Sequence, residues 1–385
     1  MRIGIDATPL LDKQYSGVSE LTYQLLKNII PQDQDNTYVL FCNSRHKLPV
    51  NFNELTRLGA KVETTHYPSK VFNYILQKRL GYPKLDKRTN ADIFYSPHFN
   101  FGAILKATPA IMTVHDVSFL HYPEFFSWRK NVWHRQLDII PLLQKQNRLV
   151  AVSEQTKQDV IRMCQIDAEK ISVVYPGINS LYLNNATSQN DKDAIVEKYH
   201  LPKKFIYTLG TIEPRKNIDG LILAYEALRE KYQDLSEYHL VIAGASGWKN
   251  SAIYQTWEKS KFKNQIHFLG YVPLEDKLGL YQLATIFVYL SYYEGFGFPP
   301  LEAMASGTPV VSSYAGSLAE VLADAALLVD PYNHLDATEA MATMLQSESV
   351  RQIYIERGLN QAKQFNWKNT ALKYLEIFKT AKKIK

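Results

Sequence analysis

Residues 293–311 read Tyr-Glu-Gly-Phe-Gly-Phe-Pro-Pro-Leu-Glu-Ala-Met-Ala-Ser-Gly-Thr-Pro-Val-Val (YEGFGFPPLEAMASGTPVV). The preceding Ile286–Leu290 (IFVYL) has the continuous apolar character of a strand buried on both faces. Pro299 and Pro300 suit the opening turn of a helix, where a missing N–H leaves no bond unmade. Gly307 then closes that helix and Pro309-Val310-Val311 starts the next strand. Strand, glycine-rich loop, helix and strand in this order belong to a parallel α/β sheet, whose ligands gather at the carboxyl ends of its strands.

The loop and helix start carry chemistry. Backbone N–H groups of Phe296, Gly297 and Phe298, with those of the first helical turn, form a positive concavity suited to a phosphate or a sugar hydroxyl. Glu294 lies on the loop and Glu302 is expected in the first helical turn, so both carboxylates can face one crevice and accept hydrogen bonds from vicinal hydroxyls. Taken alone, Glu302 also reads as a first-turn glutamate favoured by the helix dipole.

Outward from this stretch the same rhythm fills the chain. Strands are expected at 3–6, 38–42, 61–65, 92–96, 110–114, 148–152 and 171–175, and again near 205–209, 239–243, 265–269, 286–290, 309–312 and 326–329. The polar run Asn184–Lys192 (NNATSQNDK) separates the two series and reads as a linker. Residues 1–183 and 193–365 are therefore expected as two domains. The closing stretch 366–385 has apolar residues at helical spacing.

At 385 residues, with 46% hydrophobic and 21% charged residues, the chain is long enough for two full cores and has the composition of a globular protein. Met1-Arg2 runs directly into the strand Ile3–Asp6, leaving no room for a signal peptide, and no apolar run approaches the ~20 residues of a membrane span. A cytoplasmic location is expected. Cys42 and Cys164 lack metal-ligand spacing and read as buried free thiols. The net charge of +6 is uneven: residues 1–180 hold 22 Lys+Arg against 16 Asp+Glu, and the remainder 22 against 22. Much of the excess lies in Ser69–Arg88, where Lys70, Lys78, Arg79, Lys84, Lys87 and Arg88 face the single acid Asp86. Phe72, Tyr74, Ile75, Leu76 and Leu80 interleave with them, the pattern of an interfacial segment or of a solvated basic face over a core helix.

The Glu-x7-Glu spacing of Glu294 and Glu302 around Gly-Phe-Gly, followed by EAMA-x-GTPVV, closely resembles the retaining glycosyltransferases of family 4. The resemblance spans nearly the whole chain, and the GTIEPRKN and EGFGFPPLEAM wording is most like bacterial mannosyltransferases of polysaccharide and O-antigen assembly. It implies the α/β GT-B fold, two Rossmann-like parallel-sheet domains facing each other across a cleft, with the 366–385 helix returning to the first. It also implies a nucleotide-diphosphate sugar donor, GDP-mannose first and UDP-glucose next, and a glycan or lipid-linked acceptor at a possible anionic membrane surface.

Site residues follow by position. Glu294 would orient the sugar and Glu302 hold the ribose. Arg215 and Lys216, on the loop after the strand Phe205–Leu209, would meet the diphosphate; the arginine many members place after the glycine is Thr211 here, so Arg215 takes its part. Gly17 would belong to the anion cradle that the family builds with Gly-Gly, where this chain has Ser16-Gly17. His115 and Asp116, ending the strand Ile111–Val114, match a His-Asp pair used toward the donor sugar, though His115 could simply bond nearby backbone. Gly270, Tyr271 and Val272 would lie beside the nucleobase. Asp33-Gln34-Asp35 superficially matches a metal-binding Asp-x-Asp but reads as a solvated turn, and no cluster has metal-ligand spacing. A metal-independent enzyme without cofactor is expected, and no nucleic-acid partner. The same fold would also suit a sugar-nucleotide epimerase or a disaccharide phosphorylase. A two-domain sugar-binding protein is disfavoured without a signal peptide, and a dinucleotide dehydrogenase without Gly-x-Gly-x-x-Gly.

Overall fold

In a computed structural model, which describes residues 1–12 and 17–382, the chain folds as two α/β units. Ser16 lies outside the described residues. The first unit comprises Met1–Val117, Val132–Gly177 and Asn366–Lys385; the second comprises Ser118–Asn131 and Ile178–Phe365.

Seven parallel strands form the first sheet: β1 (Arg2–Asp6), β2 (Thr37–Asn43), β3 (Lys61–Thr65), β4 (Ile93–Ser96), β5 (Ala110–Val114), β6 (Arg148–Ala151) and β7 (Ile171–Val173), in the order β3-β2-β1-β4-β5-β6-β7. The six-stranded second sheet has β8 (Phe205–Leu209), β9 (His239–Ala243), β10 (Ile266–Gly270), β11 (Ile286–Tyr289), β12 (Val310–Ser313) and β13 (Ala326–Val329), in the order β10-β9-β8-β11-β12-β13. Each strand falls on an expected segment; the interior strands are largely apolar, as strands covered by helices on both faces need, while the edge strand β3 has Val62 as its one apolar residue.

In the first unit the closing helix Trp367–Lys382 buries Tyr374 and Phe378 against Tyr95 of β4. The buried hydroxyls are satisfied in a chain, Tyr95 to Thr113 at 2.7 Å and Thr113 to Tyr374 at 2.8 Å. Gly177 permits the close approach of this helix, since a Cβ there would meet the Trp367 backbone N at 2.2 Å. In the second unit, the helix Ile218–Lys231 packs Leu221, Tyr225 and Leu228 with Met341 and Met344 of the helix His334–Gln346 into one apolar cluster.

Several expectations are corrected. The polar run 184–192 is not an open linker: Ser188 caps a helix at Gln189–Tyr199, accepting from the Asp191 N–H. Residues 118–131, expected with the first domain, belong by their contacts to the second unit, because their aromatic side chains pack there. The Asp33 turn is less solvated than expected, since its carboxylate accepts from Asn36 at 2.6 Å and from buried Tyr38 at 2.5 Å. Asp86 is not exposed among the cations around it. It is buried and accepts from the Leu105 N–H and the Thr108 hydroxyl. Cys42 and Cys164 are buried free thiols, as read.

Candidate functional site

In the second sheet β8 has β9 on one side and β11 on the other, so the connections leaving β8 and β11 diverge and a crevice opens at their carboxyl ends. The loops that follow these strands are stitched together there. Asn217, with φ of +53°, donates from its amide to Leu290 O at 3.1 Å and Pro331 O at 2.7 Å. The Tyr292 N–H donates to Arg215 O at 2.9 Å, and the Ser291 hydroxyl oxygen lies 3.0 Å from the same carbonyl.

This stitching brings three expected site residues into direct contact. Arg215 Nη1 lies 3.0 Å from Glu294 Oε2, and the Lys216 ammonium donates to Glu294 Oε1. Tyr289 and Ser291 hydroxyls donate to Oε1 as well, at 2.9 and 2.7 Å. Arg215 also donates from Nη2 to Glu213 Oε1 at 3.0 Å, and from Nη1 to Tyr293 O at 2.7 Å. Burial alone would raise the Glu294 carboxyl, but Arg215 and then Lys216 overcome it and hold the group down to about 2. Two buried carboxylates thus face two partly buried cations. Such a cluster stabilises a fold less than well-packed apolar residues of the same volume would, and belongs where charge has chemical work to do.

Glu294 is also held from behind. Ser317 donates to Glu294 O from its N–H at 3.0 Å and from its hydroxyl at 3.1 Å. Gly316, at φ of +61°, makes room for this, since a Cβ there would sit 2.4 Å from Glu294 O. The aromatic segment Tyr122–Phe126 packs over the same loop: Phe125 stacks on Tyr292 at 5.3 Å, and Tyr122 lies 6.0 Å from Tyr293.

The helix spans Phe298–Ala305, one residue earlier than its prolines suggested, with Gly297 at φ of +96° before it. Glu302 therefore lies in the second turn rather than the first, and the dipole does not account for it. Its Oε2 accepts from Tyr281 at 2.8 Å, while among the described residues no donor reaches Oε1. Burial first, and Glu302 second, push the Tyr281 phenol well above its ordinary value. The backbone N–H groups of Phe296, Gly297 and Phe298 likewise have no partner among the described residues. The Phe296 ring itself is buried against Phe298 and Phe365, which leaves its backbone as the part that could meet a ligand.

Gly270 ends β10 at φ of +71° and accepts from the Gly244 N–H at 2.7 Å. Tyr271 is exposed but the Val272 side chain is buried, so residue 272 could touch a base only through its backbone. In the first unit Gly17 begins the helix Gly17–Gln32. His115 and Asp116 follow β5; His115 Nε2 lies 2.7 Å from Pro97 O. A carbonyl only accepts, so Nε2 carries the hydrogen, and Nδ1 is the acceptor of the neutral ring. Burial holds the ring below the ordinary histidine value. Among the described residues no group of three or more His, Cys, Asp or Glu is placed to hold a metal, and no helix is long and apolar enough to cross a membrane.

Tyr289, Ser291, Tyr281, Ser317 and Glu213 are site residues that sequence reasoning missed. The carboxyl end of an apolar strand marks Tyr289 and Ser291, and the Glu-x-Arg spacing in GTIEPRKN marks Glu213. Tyr281 and Ser317 come from distant segments that give no local signal.

Two family models match the chain: Glycosyltransferase Family 4 over residues 15–180 and Glycosyl transferases group 1 over residues 191–361. The chain is 36% identical over 289 residues to O-antigen chain mannosyltransferase B of Escherichia coli, covering 74% of each protein. The chain belongs to glycosyltransferase family 4. It is also 29% identical to O-antigen chain mannosyltransferase RfbU of Salmonella typhimurium, over 68% of this chain and 66% of the relative. It is 30% identical to the Escherichia coli serotype-specific mannosyltransferase WbdA, of which it spans only 29%. Among solved structures, Anabaena HepE in complex with UDP and glucose superposes with a TM-score of 0.75 at 18% identity, over 98% of this chain and 99% of that one. WaaG, a glycosyltransferase of lipopolysaccharide biosynthesis, superposes at 0.71 and 16% identity, with 98% and 99% covered. The two parallel-sheet, Rossmann-like units of this family 4 glycosyltransferase are of the GT-B class.

Proposed function

We propose that this glycosyltransferase transfers mannose from GDP-mannose, with retention of configuration and without a metal, to a hydroxyl of a glycan or lipid-linked glycan. The observation that carries the reading is the largely buried Arg215–Lys216–Glu294 cluster at the carboxyl ends of β8 and β11. Arg215 and Lys216 take the diphosphate and stabilise the charge that develops on it as it leaves. Glu294 and the 296–298 N–H groups orient the sugar. Glu302, with Oε2 fixed by Tyr281, offers Oε1 to the ribose hydroxyls. No side chain is assigned as a covalent nucleophile; the leaving phosphate oxygen accepts the acceptor's proton on the same face of the sugar. His115, as a neutral ring with an accepting Nδ1, is suited to a sugar hydroxyl.

Mannose is favoured by the relatives that are O-antigen chain mannosyltransferases, while HepE, solved with UDP, keeps UDP-sugars as the next donors. A thermal-shift screen across nucleotide sugars is expected to give the largest stabilisation with GDP-mannose. A clear preference for a UDP-sugar would overturn the mannose assignment and leave the transferase. NMR of the product is expected to show the donor's anomeric configuration, and activity to survive EDTA; inversion, or loss of activity on chelation, would contradict the mechanism.

The same reading places the acceptor at an anionic membrane surface. Along the helix Val71–Leu80 and the turn after it, Tyr74, Ile75, Leu80 and Tyr82 are exposed beside exposed Lys70, Lys78 and Arg79. Apolar side chains and cations on one exposed segment suit reversible attachment to an interface.

A further inference from the structure

Glu213 has no part in the scheme above, yet its carboxylate is among the most buried in the second unit, at 3% exposed. It precedes the turn Pro214–Lys216, whose Lys216 N–H donates to Glu213 O at 3.1 Å. Its Oε1 accepts from Arg215 Nη2 at 3.0 Å, while Nη1 is the nitrogen that meets Glu294. Gly247 comes close from the next loop: a Cβ there would stand 2.7 Å from Ile212 O and 3.3 Å from the Glu213 Cβ. The Lys130 ammonium, seated 3.2 Å from the centre of the Trp248 ring, also feels its charge.

The two carboxylates in this cluster therefore differ. Glu294 is assigned to the sugar, and a bound diphosphate can take over its contacts with Arg215 and Lys216. Glu213 is more deeply buried and meets Nη2, the terminal nitrogen that Glu294 does not touch. We propose that Glu213 is a positioning residue and a permanent counter-charge, which aims Arg215 at the diphosphate and limits how tightly the spent nucleoside diphosphate is retained. Two partly buried cations with no such partner would favour a bound dianion strongly enough to slow its departure, and product release limits turnover in many enzymes. The proposal rests on the diphosphate reading of Arg215 and Lys216.

The test is calorimetric titration of GDP and of UDP into wild type, Glu213→Gln and Glu213→Asp, with turnover measured beside it. Glutamine keeps the shape and the acceptor for Nη2 but removes the charge. Glu213→Gln is expected to bind the nucleotide roughly tenfold tighter, the scale of one unit charge acting across about 10 Å at an effective dielectric of about 20. Its kcat and donor KM are expected to fall together. Glu213→Asp keeps the charge and is expected to return affinity to the wild-type range. A carboxylate that merely supports the loop predicts the opposite sign, weaker binding in Glu213→Gln. Unchanged or weaker binding there, with wild type binding normally, overturns this inference alone; a wild type that binds neither nucleotide overturns the diphosphate reading with it.

Discussion

At the scale of single residues, the paired glutamates have separable parts. Glu294→Gln removes one charge from a cluster in which Arg215 and Lys216 remain, so transfer is expected to slow while nucleotide binding persists. Glu302→Gln removes the carboxylate offered to the ribose and is expected to weaken donor binding chiefly. Each loses a charge-assisted hydrogen bond worth ~1.5–3 kcal/mol, or roughly 10- to 150-fold, measurable as kcat in the first variant and donor KM in the second. Wild-type rates in both would remove the assignment. The Glu294 carboxyl, ordinarily at 4.5, is held to about 2, so the stability it contributes is present above pH 4.5 and is lost as pH falls toward 2. The unfolding free energies of wild type and Glu294→Gln are therefore expected to converge by about 3 kcal/mol between pH 5 and pH 2. A pH-independent difference would show that the charge is not stabilised by its neighbours.

Elements explain why these residues meet. The interior strands were legible because doubly covered parallel strands are largely apolar, and the glycine and proline punctuation marked the loops at their ends. Glu294, Arg215 and Lys216 were legible for the same reason: each lies just beyond such a strand. Tyr281, Ser317 and the Tyr122–Phe126 segment were not, since their place depends on side chains packing across long sequence separations. The misplaced start of the Phe298–Ala305 helix is a boundary effect: a left-handed Gly297 allows the helix to begin at Phe298. Gly316 gives this scale its own prediction. Gly316→Ala would drive a Cβ against the Glu294 backbone, which unlike a side-chain tip cannot step aside, at a φ that alanine adopts with about 1 kcal/mol or more of strain. Transfer is expected to fall at least tenfold while the circular dichroism spectrum of the folded chain persists. Full activity in Gly316→Ala would show that the placement of Glu294 is not critical.

For the whole molecule, the chain carries its positive excess in residues 1–180. Each cation near an anionic leaflet contributes about 1 kcal/mol, screened by salt. Sedimentation with anionic liposomes is expected at low salt, to weaken at high salt, and to drop on neutralising Lys78 and Arg79. Absence of low-salt binding would make this an ordinary solvated face. The central claim is that Arg215 and Lys216 form the diphosphate site of a family 4 glycosyltransferase, and titration calorimetry of GDP and UDP into wild type and Lys216→Ala tests it most directly. Wild type is expected to bind at least one nucleotide, GDP the more tightly, and Lys216→Ala to bind it at least tenfold more weakly. Equal affinity in the two proteins would contradict the claim.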